Sequence, residues 1–417
     1  MVVKPHGYAI WEKIQRDLDG RFKATGHQNA YFPLLVPQSF ITKEAEHVEG
    51  FSPELAVVTH GGGKQLEEPA VVRPTSETII NASFTKWIDS YRDLPLLINN
   101  WSNIVRWELR PRIFLRTTEF LWQEGHTAHA GEAEAHAFAL RILRDVYESL
   151  LIELLALPSL VGLKTRAETF AGALRTWTLE GVMRDGKALQ LGTSHELGQG
   201  FAKAFGTEYT DADGLRRHPW QTSWAVTTRL IGALIMVHGD DRGMRLPPAV
   251  APAQVVVLVV KDEGGAGDAA RRLVDELRAR DVRVRLDDRV EQPFGRRAID
   301  WELKGAPLRV ELGPRDLASG HATLVSRARE SRRPIPIDGA AQRIADALAG
   351  EQAALLADAI EHGGSGLASL PWSAIGTDGE REMGRHGVTV RCLQQPDGTL
   401  TGDRGADGLV AIVGRAY

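Results

Sequence analysis

The sequence contains a single cysteine, Cys392, among its 417 residues. One thiol cannot form an internal disulfide or a cysteine-rich zinc site, and this usage is typical of a reducing compartment, so we expect a cytoplasmic protein. The longest purely aliphatic run, Val255 to Val260, is far too short to cross a bilayer, and the first residues lack the apolar stretch of a secretory signal. These absences argue against secreted and membrane-spanning proteins.

Neither sign of charge is in large excess. The formal net charge is -4, with 25% charged and 43% hydrophobic residues, which is an ordinary composition for a globular protein. Such a balance argues against a general polyanion binder, although it allows a local basic face that meets RNA. The length predicts two to four domains.

Tryptophan and proline divide the chain. Eight of the ten tryptophans lie before residue 248, and three prolines between Arg245 and Pro252 stiffen a linker there. After it, a strand at Val255–Val260, a helix at Asp268–Ala279 and a strand at Val282–Leu286 predict a compact α/β unit with a right-handed crossover.

A second break, at Glu361–Leu367, precedes a short tail. The tail has too few apolar residues to hold a core alone, so we expect it to pack on another part of the chain. The predicted organisation is therefore a large aromatic-rich unit over 1–248, an α/β unit over 249–350 and a tail over 351–417.

Two glycine-rich segments imitate nucleotide-binding loops. Gly265-Ala-Gly267 follows a strand and opens a helix, with Asp287 after the next strand, but nearby acids would repel a pyrophosphate. We interpret this segment as a polar strand-to-helix turn. Gly61-Gly-Gly63 lacks the remainder of a P-loop and is predicted to be a β-turn.

Three segments of the first unit concentrate polar residues among aromatic, strand-like surroundings. They are Arg73–Thr78, Val105–His126, and Gln190–His195 together with Ser223–Arg229 and His238–Arg242. Four arginines lie within the eleven positions 106–116, and guanidinium groups match phosphate oxygens bidentately. Each cluster alone is also compatible with a salt-bridged strand face, and the repetition of the pattern favours a polyphosphate site.

These segments resemble the class II aminoacyl-tRNA synthetases, and specifically the prolyl-tRNA synthetase family of the archaeal and eukaryote-like type. The similarity extends almost over the whole chain, and motifs 1, 2 and 3 stand in order around Pro37, Arg116 and Arg229. Further similar segments are Gly7–Glu12, Gly26–Pro33, Glu44–Pro53, Glu119–His126, His238–Gly243, Trp301–Gly305 and Arg309–Asp316.

The resemblance implies an α+β catalytic domain of the class II synthetase fold, with an antiparallel six- or seven-stranded sheet and flanking helices. An α/β anticodon-binding domain and a small α+β tail would follow. The family's motif 1 interface, around Phe32 to Pro37, implies a homodimer. Because no large insertion separates motifs 2 and 3, we expect no bacterial-type editing domain.

The resemblance also implies the substrates L-proline, ATP with Mg²⁺, and tRNA(Pro), and it assigns roles to individual residues. The catalytic residues would be Arg106, Arg116 and Arg229. Proline would contact Thr75, Glu77, Arg106, Trp122, Glu124, His126, Phe170 and His195. ATP would contact Arg106, Glu108, Arg116, Thr117, Phe120, Gln190, Thr193, Thr227 and Arg229.

Within that site, Arg106 would bridge the proline carboxylate and the α-phosphate, and Phe120 would stack on the adenine opposite Arg229. Glu77 and Thr75 would bind the secondary ammonium group of proline.

For the second unit, the resemblance assigns anticodon contacts to Lys304, Arg309 and Glu311. We expect Arg296 and Arg297 to contact phosphates, with a solvated basic turn as an equal alternative. Relatives of this type often hold zinc through four cysteines in the tail. One cysteine cannot supply that set, so no zinc is predicted.

Three departures from the family leave alternatives open. The chain begins near the family's first strand, without the usual N-terminal helix; Ala225 replaces a glycine beside motif 3; and the tail cysteines are missing. One alternative is therefore a paralogue that adenylates proline or an analogue for another acceptor, either in specialised metabolism or as an inhibitor-resistant copy. Another alternative is an inactive tRNA-binding protein. The joint presence of Glu77 and the three catalytic arginines argues against the second.

Overall fold

The computed structural model describes residues 1–47, 55–363 and 365–417, so residues 48–53 of the similar segment Glu44–Pro53 lie outside the described residues. No helix in these ranges is both long and apolar enough to span a bilayer. The helices are α1 Pro5–Ala24, α2 Gln38–His47, α3 Glu77–Trp87, α4 Glu132–Arg141, α5 Ser149–Glu153, α6 Gly200–Phe205, α7 Arg229–His238, α8 Ala266–Arg278, α9 Phe294–Leu303, α10 Pro314–Ala318, α11 Ala340–Gly363 and α12 Trp372–Arg385, with a 3₁₀ turn at Tyr91–Asp93 and a π-helical segment at Ile142–Glu148.

The strands form four sheets among the described residues. They are β1 Gln28–Asn29, β2 Leu35–Pro37, β3 Val57–Gly61, β4 Lys64–Val72, β5 Leu96–Val105, β6 Glu119–His129, β7 Leu160–Leu163, β8 Arg175–Val182, β9 Ala188–Gly198, β10 Tyr209–Thr210, β11 Arg216–Arg217, β12 Trp220–Thr227, β13 Val255–Val259, β14 Val284–Asp287, β15 Leu308–Leu312, β16 His321–Ser326, β17 Ser331–Pro336, β18 Leu367–Pro371, β19 Thr389–Gln394 and β20 Val410–Gly414.

The largest sheet joins the first unit to the tail. Its order is β1-β5-β6-β12-β9-β8-β7-β19-β20-β18, so the first seven strands come from the first unit and the last three from the tail. Neighbouring strands are antiparallel except β1 and β5, which are parallel. The prediction of an antiparallel six- or seven-stranded catalytic sheet is therefore confirmed, with seven strands.

The chain opens with helix α1, contrary to the expectation that it begins near a first strand. Ile10, Ile14, Leu18 and Phe22 recur at helical spacing and are all buried. They pack in the main core with the segment 142–157 and helix α7. This packing covers one face of the central strands β6 and β9, which are buried along nearly their whole length.

The second unit has the predicted α/β architecture. Its sheet order is β14-β13-β15-β16-β17, with β13 parallel to both β14 and β15 and the remaining pairs antiparallel. All five residues of β13 are buried, and helix α8 packs against β13 and β14. Helix α11 is continuous across the expected boundary between residues 350 and 351.

Both glycine-rich segments are turns. In the first, the Gly267 amide donates to Asp262 Oδ1 at 3.1 Å, so an acidic side chain occupies the helix start where a pyrophosphate would bind. In the second, Gly62 and Gly63 connect β3 to β4 with φ angles of 59° and 79°, a conformation that favours glycine.

The tail packs on the catalytic sheet, as expected. Strand β19 pairs with the edge strand β7 through Leu393 and Leu163. The approach requires Gly162, because a Cβ atom there would lie 2.6 Å from the Cβ of the buried Cys392. Arg391 of β19 reaches Glu180 of β8, which also binds Lys164.

Candidate active site

The site residues predicted for the first unit line one cavity of about 400 Å³. The cavity lies beside strands β6, β9 and β12, at the start of helix α3 and beside the 106–117 loop. Its predicted lining residues are Thr75, Glu77, Arg106, Glu108, Arg116, Thr117, Phe120, Trp122, Glu124, His126, Phe170, Gln190, Thr193, His195, Thr227 and Arg229. The sequence segments that carry them lie far apart in the chain and converge in space.

One end of the cavity carries buried carboxylates. Glu77 is the first residue of α3, and the Thr75 hydroxyl donates to its carboxylate. Glu124 on β6 is 1% exposed and accepts from Asn100 Nδ2 at 2.8 Å. Because the structure gives these two acids no arginine or lysine within salt-bridge distance, this end of the cavity suits a small cation.

The pKa values of two buried histidines in this region are shifted in opposite directions. Burial alone would lower the pKa of His126, but the hydrogen bond and charge of Glu124, 3.3 Å away, outweigh it and raise that pKa. Burial and the charge of His126 lower the pKa of His195 to about 3. At neutral pH, His195 is therefore a neutral imidazole.

Aromatic rings form the walls between the two ends. Trp122 is 5% exposed and donates from Nε1 to Ser102 Oγ at 2.9 Å. The Phe170 ring lies 4.6 Å from the His195 ring, and Phe120 meets Trp122 edge to face at 6.3 Å. These rings enclose a compact, largely apolar space beside the acids.

The other end of the cavity carries arginines. Arg106 donates from Nε to the Pro74 carbonyl at 3.1 Å, and its guanidinium stands 5.7 Å from the centre of the Phe120 ring. Arg229 donates to the carbonyls of Leu115 and Gln190, both at 3.2 Å. Backbone carbonyls orient these guanidinium groups without neutralising their charge.

Arg116 is the outermost of the three, with a side chain that is 70% exposed and lies 3.2 Å from Glu108. Burial, followed by the positive charge of Arg106, lowers the pKa of Arg229, and the charge of Arg116 acts in the same direction. Like charges gathered in this way favour a polyanionic ligand such as a triphosphate.

Sequence reasoning missed several lining residues, among them Phe114, Glu168, Thr176 and Ser223. Thr176 pairs with His195 across strands β8 and β9, and Ser223 pairs with the same histidine from β12. Both residues lie directly opposite His195 on the neighbouring strands, so the pairing of these strands, and not the sequence pattern alone, identifies them. Glu168 lies in an irregular segment between β7 and β8, where periodicity gives no signal.

The residues predicted to read the anticodon occupy different settings in the second unit. Arg309 lines a cavity of about 140 Å³ together with Trp301 and Arg332. Glu311 is buried beside it and accepts from Arg309 at 3.0 Å and from Arg332 at 2.6 Å. Lys304 stands 4.5 Å from the centre of the Trp301 ring.

The expectation for Arg297 was wrong. Its side chain is fully buried and donates to Asp287 Oδ1 at 3.2 Å and to the Val259 carbonyl at 2.8 Å. It fixes α9 to the sheet and can reach neither phosphate nor solvent. Arg296, the preceding residue, is exposed.

Comparison with known families agrees with the fold and the cavity. Residues 61–238 match the family described as tRNA synthetase class II core domain (G, H, P, S and T), and residues 254–347 match the anticodon binding domain. Together with the antiparallel sheet and its arginine-rich cavity, these matches define a class II aminoacyl-tRNA synthetase.

Comparison with individual relatives identifies the family within this class. The chain is 56% identical to proline–tRNA ligase 2 of Streptomyces avermitilis, over all of this chain and 92% of that protein. It is 53% identical to the proline–tRNA ligase of Frankia casuarinae, over all of this chain and 93% of the relative. The chain belongs to the proline–tRNA ligase family.

Solved structures give the same result. The prolyl-tRNA synthetase of Cryptosporidium parvum with halofuginone and AMPPNP superposes with a TM-score of 0.90 at 36% identity, covering all of this chain and 90% of that one. The structure of that enzyme with L-proline and AMP gives a TM-score of 0.89 at the same identity and coverage.

Proposed function

We propose that the chain joins L-proline to ATP, forming prolyl-adenylate and releasing pyrophosphate, and then transfers the prolyl group to the 3′ end of tRNA(Pro). The observation that carries this proposal is one cavity with the carboxylates of Glu77 and Glu124 at one end and, at the other, the guanidinium groups of Arg106 and Arg229 held by backbone carbonyls. A zwitterionic imino acid and a triphosphate have the complementary charges.

The acidic end binds the amino group of proline. Glu77 and Glu124 supply negative charge to a secondary ammonium group, which has two N–H donors, and Thr75 supplies an oxygen. Trp122 and Phe170 enclose the pyrrolidine ring. An aliphatic analogue that lacks methylenes loses only about 1–3 kcal/mol of binding in such a pocket, so alanine is the expected competitor.

The basic end binds ATP and stabilises the charge that develops during adenylation. Arg106 stands between the two ends, where it can hold the proline carboxylate against the α-phosphate. Phe120 and Arg229 sandwich the adenine, and Arg116 with Glu108 and Thr117 lines the outer part. Catalysis then consists mainly of positioning and electrostatic stabilisation.

Magnesium fits this site as an ion carried by the nucleotide. In the described parts of the chain, no group of three or more His, Cys, Asp or Glu side chains could hold a metal. Glu108 places one carboxylate beside Arg116, and Mg²⁺ commonly takes one or two carboxylates plus phosphate oxygens. When bound, the ion neutralises phosphate charge.

The second unit meets the anticodon loop. Arg309, Arg332 and Trp301 around one cavity offer charge and a stacking surface, which suit an unpaired base. Lys304 adds a cation beside the same tryptophan.

A homodimer in the cytoplasm completes the proposal. Around the expected motif 1 interface, Tyr31 is 79% exposed and Leu35 is 47% exposed, and Val57 on the adjoining three-stranded sheet is 45% exposed. Exposed apolar side chains grouped in this way support burial against a second copy.

Proline-dependent exchange of pyrophosphate into ATP tests the activation step. We expect exchange with L-proline in a folded sample, and its absence would refute the proposal. Charging of tRNA(Pro) tests the transfer step, because adenylation without any charging would instead favour a paralogue with another acceptor. Tight tRNA binding without ATP binding would favour an inactive tRNA-binding protein.

A further inference from the structure

The segment between β7 and β8, residues 164–174, forms one wall of the cavity. It carries Phe170 and Glu168, which both line the cavity, and Phe170 packs 4.6 Å from His195. Three consecutive residues, Arg166 to Glu168, are exposed. Phe170, Ala171 and Ala173 pack in a small apolar cluster with Leu197, Phe201 and Phe205, whereas hydrogen bonds hold the preceding part of the segment.

A hydrogen-bond relay connects this segment to the imino-acid end of the cavity. The Phe170 amide donates to Thr176 Oγ1 at 2.9 Å, and that hydroxyl lies 3.0 Å from His195 Nδ1. Burial keeps His195 neutral, and the Thr176 hydroxyl and His195 Nδ1 share a hydrogen bond whose direction depends on the imidazole tautomer. A displacement of Phe170 would therefore disturb the histidine as well as the ring that packs on it.

Arg404 of the tail makes three hydrogen-bond contacts with this segment. Its Nε donates to the Lys164 carbonyl at 2.9 Å, and its Nη1 lies 3.4 Å from the Leu174 carbonyl. Its Nη2 donates to Thr169 Oγ1 at 2.8 Å. One guanidinium thus contacts both ends of the segment, Lys164 and Leu174, and also Thr169 beside Phe170.

Arg404 is itself anchored to the catalytic unit. Leu400 packs against the main core, and the Gly402 carbonyl accepts from Arg175 Nε at 3.1 Å. A second contact from the tail, in which the Thr165 hydroxyl donates to Glu380 at 2.6 Å, binds the start of the segment. The tail therefore presents a fixed guanidinium to the segment, and this contact adds to the apolar packing of residues 170–173.

We infer that Arg404 is a positioning residue for proline binding, acting from the tail through Thr169 and Phe170 rather than by touching the substrate. The inference rests on the proposed function. It predicts a selective effect, because the arginine-rich end of the cavity shares none of these hydrogen bonds. Loss of Arg404 should weaken proline binding and leave ATP binding unchanged.

The experiment compares Arg404→Ala and Arg404→Lys with Arg385→Ala as a matched control. Arg385 is another tail arginine, 76% exposed and paired only with Glu382 within its own helix, so its removal should have little effect. In pyrophosphate exchange, Arg404→Ala should raise the KM for proline about tenfold, equivalent to about 1.4 kcal/mol, with the KM for ATP within about twofold. Arg404→Lys, which keeps a donor, should fall between.

Hydrogen exchange supplies a readout that does not depend on activity. The Phe170 amide should exchange faster in Arg404→Ala, whereas amides of the central strand β6 should not change. An unaltered KM for proline, or equal rises in both KM values, would overturn the inference. Unaltered hydrogen exchange at the Phe170 amide would also overturn the inference. This readout holds even if the wild-type protein showed no proline-dependent pyrophosphate exchange, a result that would refute the proposed function separately.

Discussion

Replacing Glu180 by glutamine should destabilise the protein more than removing either cation that it pairs with. Glu180 is completely buried, between Lys164 with a side chain 2% exposed and Arg391 with a side chain 9% exposed. Two cations thus surround one anion. The charges of both neighbours lower the pKa of Glu180 against the opposing effect of burial, so the carboxylate is ionised at neutral pH.

The expected loss of stability in each variant follows from the buried charges that remain after the substitution. Without Glu180, two buried cations repel each other with no compensating charge, and breaking a buried pair typically costs about 3–5 kcal/mol. Without Arg391, Glu180 and Lys164 remain as a neutral pair at 2.8 Å. Arg391→Met should therefore cost only the lost charged hydrogen bonds, about 1.5–3 kcal/mol.

Urea unfolding of the two single variants and of the double variant measures these costs. The decisive result is the sign of the change that Arg391→Met causes in the free energy of unfolding. The substitution should destabilise the wild type but stabilise the Glu180→Gln variant, because in that variant it removes one of two repelling cations. The same loss in both backgrounds would refute the electrostatic argument. Since the folded-state pKa of Glu180 is lowered, its contribution is present above the ordinary carboxyl pKa and is lost as the pH falls through the folded value.

Four further predictions concern the proposed site. Glu77→Gln should raise the KM for proline by about 10- to 100-fold with little change in the KM for ATP, measured by pyrophosphate exchange; a comparable rise for ATP would place Glu77 elsewhere. Glu124→Gln should lower the pKa of His126, measured by NMR titration. Because the folded-state pKa of His126 is raised, Glu124→Gln should lower the free energy of unfolding most below the ordinary histidine pKa of 6.5. This loss should vanish as the pH rises through the folded-state pKa, and an equal loss at all pH values would contradict the argument. Lys304→Ala should weaken tRNA charging and spare proline activation, and equal losses in both assays would show that Lys304 is misplaced in the proposal. Elemental analysis should find no stoichiometric zinc, because one cysteine cannot complete a structural site.

Local patterns were sufficient to predict the α/β architecture of the second unit. The aliphatic run at Val255 forms strand β13, because a buried strand between two parallel neighbours selects β-branched and aliphatic residues. The cavity was predicted by resemblance, which assigned residues by motif order and not by geometry. Charge alone misled the interpretation of Arg297, since a buried ion pair and a solvated basic turn have the same sequence signature.

The sequence predicted that the tail packs on another part of the chain, but the strand on which it docks could not be predicted because long-range contacts have no periodic signal. Strand β7 ends the catalytic sheet with free backbone groups, and an exposed edge invites unwanted pairing. Strand β19 covers this edge. The contact is specified by Gly162, which has no side chain, by Leu393, and by the buried charges of Lys164, Glu180 and Arg391. The same docking brings Arg404 to the 164–174 segment. The tail is therefore joined to the catalytic unit by charge and sheet pairing, and our inference about Arg404 makes the 164–174 wall of the cavity dependent on that junction.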